Sequence, residues 1–164
     1  MKKTLYLLAL IMIMASCGAA KSVSYTHKPL AAEGCSVSYS AVQNDGQMMI
    51  VVTVESDRLV FSNSPTMILK NFKGEVLKLK GMTLQSRTET GGILISNIVV
   101  PITDLKAMAE FPIDEKDIDF FASGIAKVRL STVPIVHEKE FSSDIIGNYL
   151  FSSLQKMSLS KETF

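Results

Sequence analysis

The chain offers few residues with chemistry of their own: two histidines and two cysteines in 164 residues. His137-Glu138-Lys139-Glu140 is the cluster most like a metal site. In a strand, successive side chains alternate faces, so His137 opposes Glu138 and Glu140 and the three cannot converge on one ion. The other histidine is His27, so a zinc site would need carboxylates from far along the chain. The cluster therefore reads as a solvated edge strand blunted by its charges. Glu110, Asp114, Glu115, Asp117 and Asp119 form an acidic run with the oxygens a calcium ion takes, but without the Asp-x-Asp-x-Asp-Gly spacing of a calcium loop. Acids also suit a helix start. Met48, Met49, Met67, Met82, Met108 and Met157 show no Met-x-x-Met cluster and read as core filling. A Ser-His-Asp hydrolase would have to use His137 as base, and no Gly-x-Ser-x-Gly elbow is present. Cys35 would need a neighbouring base to become a nucleophile; none is near it in sequence, so a buried strand thiol is expected. Gly91-Gly92 reads as a hairpin turn, since no helix follows it to bind phosphate. Lys78 and Lys80 share a strand face and read as solvated surface. The expectation is no catalytic residue, no metal ligand and no cofactor, with ligand-binding residues unassigned.

Cys17 is different. Lys2 and Lys3 precede an uncharged run from Leu5 to Met14, and Ala15 and Ser16 lead into Cys17. A basic start, a short apolar stretch and small residues make a secretory signal. The run is too short to span a ~30 Å hydrocarbon core, which needs about 20 residues. Met14-Ala15-Ser16-Cys17 resembles the lipobox of bacterial lipoproteins, with Met where Leu is commoner. The resemblance implies cleavage before Cys17, diacylation of its thiol and acylation of its new amino group. Ordinary cleavage after Ala20 is the alternative. Several acyl chains suffice to anchor a protein, at ~0.8 kcal/mol per buried CH₂.

With Cys17 used by the lipid, no disulfide framework is expected. The chain has 17 Lys and Arg against 16 Asp and Glu, and losing Lys2 and Lys3 turns a net +1 into −1. That balance points to no nucleic-acid partner. If enteric sorting rules apply, Gly18 lacks the Asp that retains lipoproteins at the inner membrane. The residues after Cys17 also lack the acidic run that resembles Bacteroidetes surface-export signals. The expected location is the outer membrane, facing the periplasm.

Residues 17–34, with Gly, Ala, Ser and Pro and no apolar period, read as a lipidated, flexible tether after the 1–16 signal. Its expected reach is about 20–25 Å. Residues 35–164 read as one domain, mainly β (α+β), an antiparallel sandwich or meander. Alternation marks Cys35 to Val42, Asn44-Asp45-Gly46 is a turn, and Met48 to Val54 reads as a strand covered on both faces. Arg58 to Phe61, Thr66 to Phe72, and Glu75 to Lys80 after Lys73-Gly74 follow. Leu77 and Leu79 differ in parity from Met82 and Leu84, so a β-bulge is expected near Gly81. Ile93 to Ile102 should end at Pro101 or lie at an edge. Leu105 to Phe111 is another strand.

A short helix is expected near 114–123, capped by Asp114, stapled by Ile113 and Ile118, and stopped at Gly124. Ile125 to Thr132 is a strand, reached by a parallel crossover or an antiparallel return, and Val133 to Phe141 is extended. Ile145, Ile146, Tyr149, Leu150, Leu154 and Met157 lie on one side of an amphipathic helix near 143–157. Ser142 is its expected cap, and Gly147 costs it roughly 1 kcal/mol. The stretch PIDEKDIDFFASGIAKVRLST is similar to small exported Bacteroidetes lipoproteins, which implies no activity. The functional expectation is a non-catalytic envelope lipoprotein with a membrane anchor, binding another envelope protein or a small ligand. The alternative is a carrier holding an apolar ligand in a cavity between the sheet and the C-terminal helix.

Overall fold

The computed structural model describes residues 21–27, 35–84, 87–95 and 98–161. Its strands are β1 (Val23–His27), β2 (Cys35–Asn44), β3 (Gln47–Ser56), β4 (Val60–Phe61), β5 (Thr66–Asn71), β6 (Val76–Lys80), β7 (Met82–Thr83), β8 (Arg87–Ile95), β9 (Ile98–Ile113), β10 (Ile125–Leu130), β11 (Thr132–Val133) and β12 (His137–Glu140). A 3-10 helix, Glu115–Ser123, joins β9 to β10, and helix α1, Gly147–Lys161, follows β12. The protein is mainly β with antiparallel pairing throughout these strands.

Alternation builds the first sheet, ordered β1-β2-β3-β9, with β7 and β8 following one another along the far edge of β9. Cys35, Val37, Tyr39 and Ala41 point inward while the intervening serines point out. Register then aligns inward residues in rows across strands. Tyr25 sits beside Val37, Val54 and Ala107; Ala41 sits beside Ile50 and Phe111. Asp45 (φ 48°) and Gly46 (φ 77°) close the β2–β3 hairpin, as two-residue turns of this hand require. On β3 the inward residues are sealed, while Met49 and Thr53 on the other face stay half-buried.

The second sheet runs β12-β10-β5-β6, and β4 pairs with β11 beside it. Its inward residues Met67, Leu69, Val128 and Leu130 join the first sheet's in one core. The edge contacts Phe61–Phe111 and Tyr25–Phe141 tie the layers together. Buried Asn71 organises the β5–β6 turn, its Oδ1 accepting from Lys73 N (3.1 Å) and Glu75 N (2.9 Å).

Several expectations change here. Val23–His27, read as tether, is an edge strand paired with Cys35–Tyr39. Its alternating Val23, Tyr25 and His27 was a strand signal inside a polar stretch. Gly81 is not a bulge. It is where the chain leaves the second sheet (β6) for the first (β7), which accounts for the parity change. A Cβ on Gly81 would lie 2.5 Å from the Glu110 carbonyl oxygen and 2.6 Å from the Phe111 ring. Gly91 and Gly92 are not a turn either; they lie within β8, opposite Ile102 and Pro101. The run read as Ile93 to Ile102 is divided: Ile93–Ile95 end β8, and Ile98–Ile102 continue through Leu105–Phe111 as the single strand β9. Pro101 falls where β9 has β8 as its described neighbour, so its missing N–H costs no ladder bond on a second side.

The helical expectations hold in kind but shift in detail. Residues 115–123 are 3-10 rather than α, and Ile118 and Phe121, three apart, share its buried side. Asp114 makes no side-chain cap bond; its carboxylate faces Lys116 at 3.3 Å. Gly124 ends the segment at φ 68°, and the return to β10 is antiparallel, into the other sheet. The last helix starts at Gly147, not near 143. The cap is Asp144 rather than Ser142: Oδ1 accepts from Gly147 N (2.8 Å) and Ile125 N (2.8 Å), and Oδ2 from Asn148 N (2.7 Å). Ile146, Leu150 and Leu154 bury one stripe against the 3-10 helix and β2. Among the described residues no helix is long and apolar enough to cross a membrane.

Candidate functional site

His137 begins β12, and the strand alternation expected for it is present. Glu138 and Glu140 face solvent, where Lys127 of β10 lies 2.5 Å and 3.0 Å from them. These pairs hold Glu138 below the usual carboxylate range and raise Lys127 above the usual ammonium range, chiefly through their hydrogen bonds. His137, however, is not part of a solvated edge. Its ring turns inward and is fully buried. The turn before it fixes this: Thr132 Oγ1 accepts from His137 N at 2.9 Å and donates to Ile135 O at 2.6 Å.

Burial brings His137 to residues that sequence distance hid. Nε2 lies 2.9 Å from the Tyr25 hydroxyl, which lies 3.0 Å from the Tyr39 hydroxyl. Nδ1 lies 3.8 Å from Cys35 Sγ. The rings of Tyr25 and His137 stack at 5.9 Å. Each of the four groups can donate or accept, so the chain Cys35–His137–Tyr25–Tyr39 is satisfied in either direction. If Tyr25 donates to Nε2, Nδ1 carries the proton and donates to sulfur; reversing one reverses the other. Burial raises both phenols above their ordinary value, and the hydroxyl and charge of Tyr25 raise Tyr39 further.

A base for Cys35 therefore exists, supplied by the fold from 102 residues away. What the pair lacks is access. Cys35 is 1% and His137 0% exposed, and neither lines the two surface grooves described below. A nucleophile must meet its substrate, whereas this cluster spans β1, β2 and β12 and joins the two sheets. Its geometry serves packing. Nε2, the nitrogen a hydrolase would turn to its nucleophile, faces the Tyr25 phenol.

The acidic run is dispersed: Glu110 lies on β9, Asp114 before the 3-10 helix, and Glu115, Asp117 and Asp119 on it. Among the described residues no group of three His, Cys, Asp or Glu is placed to hold a metal ion. Met48 and Met67 are core residues, while Met82 is 63% exposed.

That exposed thioether marks the larger groove, of about 630 Å³, where the chain changes sheets. Met49, Met82 and Pro112 give it an apolar floor; Lys80, Glu110 and Asn63 bring charge and amide groups to its walls. Lys80, read from sequence as surface, is exposed as expected but borders this groove. A smaller groove of about 360 Å³ runs between β2 and α1, lined by Lys21, Tyr149, Ser153, Lys156, Met157 and Ser160 with Ala41. It lies in the place expected for an apolar cavity, and its lining mixes Ala41, Tyr149 and Met157 with two lysines and two serines. Cys17 lies outside the described residues. Comparison with protein-family models, with curated proteins and with solved structures finds no match to this chain.

Proposed function

We propose that this chain is an exported lipoprotein of the cell envelope, held by lipid on Cys17, whose β-sandwich binds rather than catalyses. The observation that carries it is Met14-Ala15-Ser16-Cys17 at the end of a basic-then-apolar leader. The outer membrane, periplasmic side, is the proposed location, following Gly18. Binding is supported by the groove at Met82, whose volume falls within the ~300–1,000 Å³ of small-ligand sites. Its mixed lining suits either a side-chain cluster of another envelope protein or a small molecule with apolar and charged parts. Against catalysis stands the sealing of Cys35 and His137.

The test is fractionation. Cys17→Ser should move the protein out of the membrane fraction, and unchanged fractionation would refute the anchor. The alternative is a carrier of an apolar ligand, expected between the sheet and the C-terminal helix; the two thioethers of the Met82 groove favour that groove as its site instead. Native mass spectrometry of envelope-purified protein should then show a bound small molecule that Met82→Glu removes.

A further inference from the structure

The smaller groove lies beside the point where the described chain begins. Lys21 is four residues from Cys17, so its Cα stays within about 14 Å of the proposed lipidated residue however the chain bends, at ~3.3–3.6 Å per residue. Lys21 is also fixed to the fold: the Tyr149 hydroxyl donates to its carbonyl oxygen. The next residues lead into β1, paired along Cys35–Tyr39. The segment reaching the anchor thus leaves the sandwich at one place, against α1.

Among the described residues that place carries lysines and no acid. Tyr149, Ser153, Lys156 and Ser160 recur at helical spacing on one stripe of α1, next to the buried stripe of Ile146, Leu150 and Leu154. With Lys21 they line the groove, and among the described residues no Asp or Glu lines it. Helix α1, Gly147–Lys161, contains Lys156 and Lys161 and no acid. Leu159, 58% exposed, adds an apolar side chain to the same turn of helix. A mature chain of net −1 therefore turns two lysines and a row of hydroxyls toward the side from which its anchor leaves.

We propose that this face, Lys21 with the Lys156 stripe of α1, docks on the anionic phospholipid headgroups of the membrane that holds Cys17. The inference rests on the lipoprotein reading and deepens it: the anchor tethers, and the lysines orient. A lysine held within one or two Debye lengths of an anionic surface is attracted to it, and the ~8–10 Å screening length makes that attraction salt-sensitive. Lys21 and Lys156 meet this condition because the tether is short. Ser153 can donate to a phosphate oxygen. The docked orientation has a consequence for the rest of the fold. β1 begins beside Tyr39 and runs toward Cys35, and at that same end of the sheet Lys106 of β9 pairs with Glu55 on one side and Arg87 on the other, the β8–β9 pairing extending from there to Ile95 and Ile98. The β8–β9 hairpin is therefore presented away from the bilayer.

The experiment uses the lipidated wild-type protein on vesicles of phosphatidylcholine alone or with phosphatidylglycerol added. Flotation establishes anchoring, and mass spectrometry then reads the rate of amine acylation at each lysine. Lys21 and Lys156 should label about fivefold more slowly on the anionic vesicles, the difference vanishing in high salt. Lys73, on the β5–β6 turn, should label equally on both. Equal labelling of Lys156 on both vesicles, by protein that floats with them, overturns the docking and leaves the anchor standing. Protein that floats with neither overturns the anchor and the docking with it.

Discussion

The Tyr25 hydroxyl lies 2.9 Å from His137 Nε2, a bond joining the first strand of one sheet to the last strand of the other. It is the middle link of a buried chain from Cys35 to Tyr39, which brings His137 to residues about a hundred positions earlier on β1 and β2. Removing the middle should cost more than removing one contact. Tyr25→Phe leaves both the Tyr39 hydroxyl and the His137 ring short of a partner in a dry core. The expected loss is about 1–3 kcal/mol of unfolding free energy, read from urea denaturation. An unchanged midpoint and slope would show that the link is dispensable.

Alkali should act through the same residues. Burial keeps Tyr25 and Tyr39 protonated in the fold, whereas unfolded phenols ionise near pH 10. The unfolded chain thus holds fewer protons above that pH, so the stability these phenols contribute, full below about 10, is lost as pH rises further. Unfolding free energy should decline above pH 10, and each of Tyr25→Phe and Tyr39→Phe should remove up to about 1.4 kcal/mol per pH unit from the slope. Chemical denaturation at a series of pH values measures it. Identical slopes in wild type and both variants would contradict the assignment.

Glycine in a helix is ordinarily a weakness that Ala repairs by about 1 kcal/mol. Gly147 should behave the opposite way. Its Cβ would fall 2.7 Å from Gly124 Cα and 2.8 Å from both Asp144 Oδ1 and Ile125 N. Gly147→Ala should destabilise by about 1–3 kcal/mol, as overpacking does. Asp144→Ala should lose about 2 kcal/mol, the upper range for a cap, because the carboxylate also holds Ile125 N. Asp144→Asn, keeping an acceptor, should lose less. Thermal melts of the three variants decide the order.

The elements legible in the sequence were those with a clean period. Cys35–Asn44 and its Asp45-Gly46 turn, the strands on either side of Lys73-Gly74, and the amphipathic tail all show local alternation or a helical stripe. What was hidden depends on contacts between distant segments. The parity change at Gly81 has two local explanations, a bulge or a change of sheet; only the Phe111 ring against Gly81 decides between them. Gly91-Gly92 carries turn chemistry, yet the register of β9 keeps it in a strand. His137 sits among charges, and alternation alone gives the face opposite Glu138 without saying that this face is the core. Tyr25 was missed because three alternating residues are a faint signal beside Gly, Ala and Pro. The Met82 groove joins residues from four segments, and no spacing announces it.

The central claim is chemical and concerns one residue. Intact mass spectrometry of the protein purified from envelopes should find a chain that begins at Cys17 and carries the added mass of three acyl chains and a glycerol. An unmodified amino terminus, such as one beginning after Ala20, would contradict it.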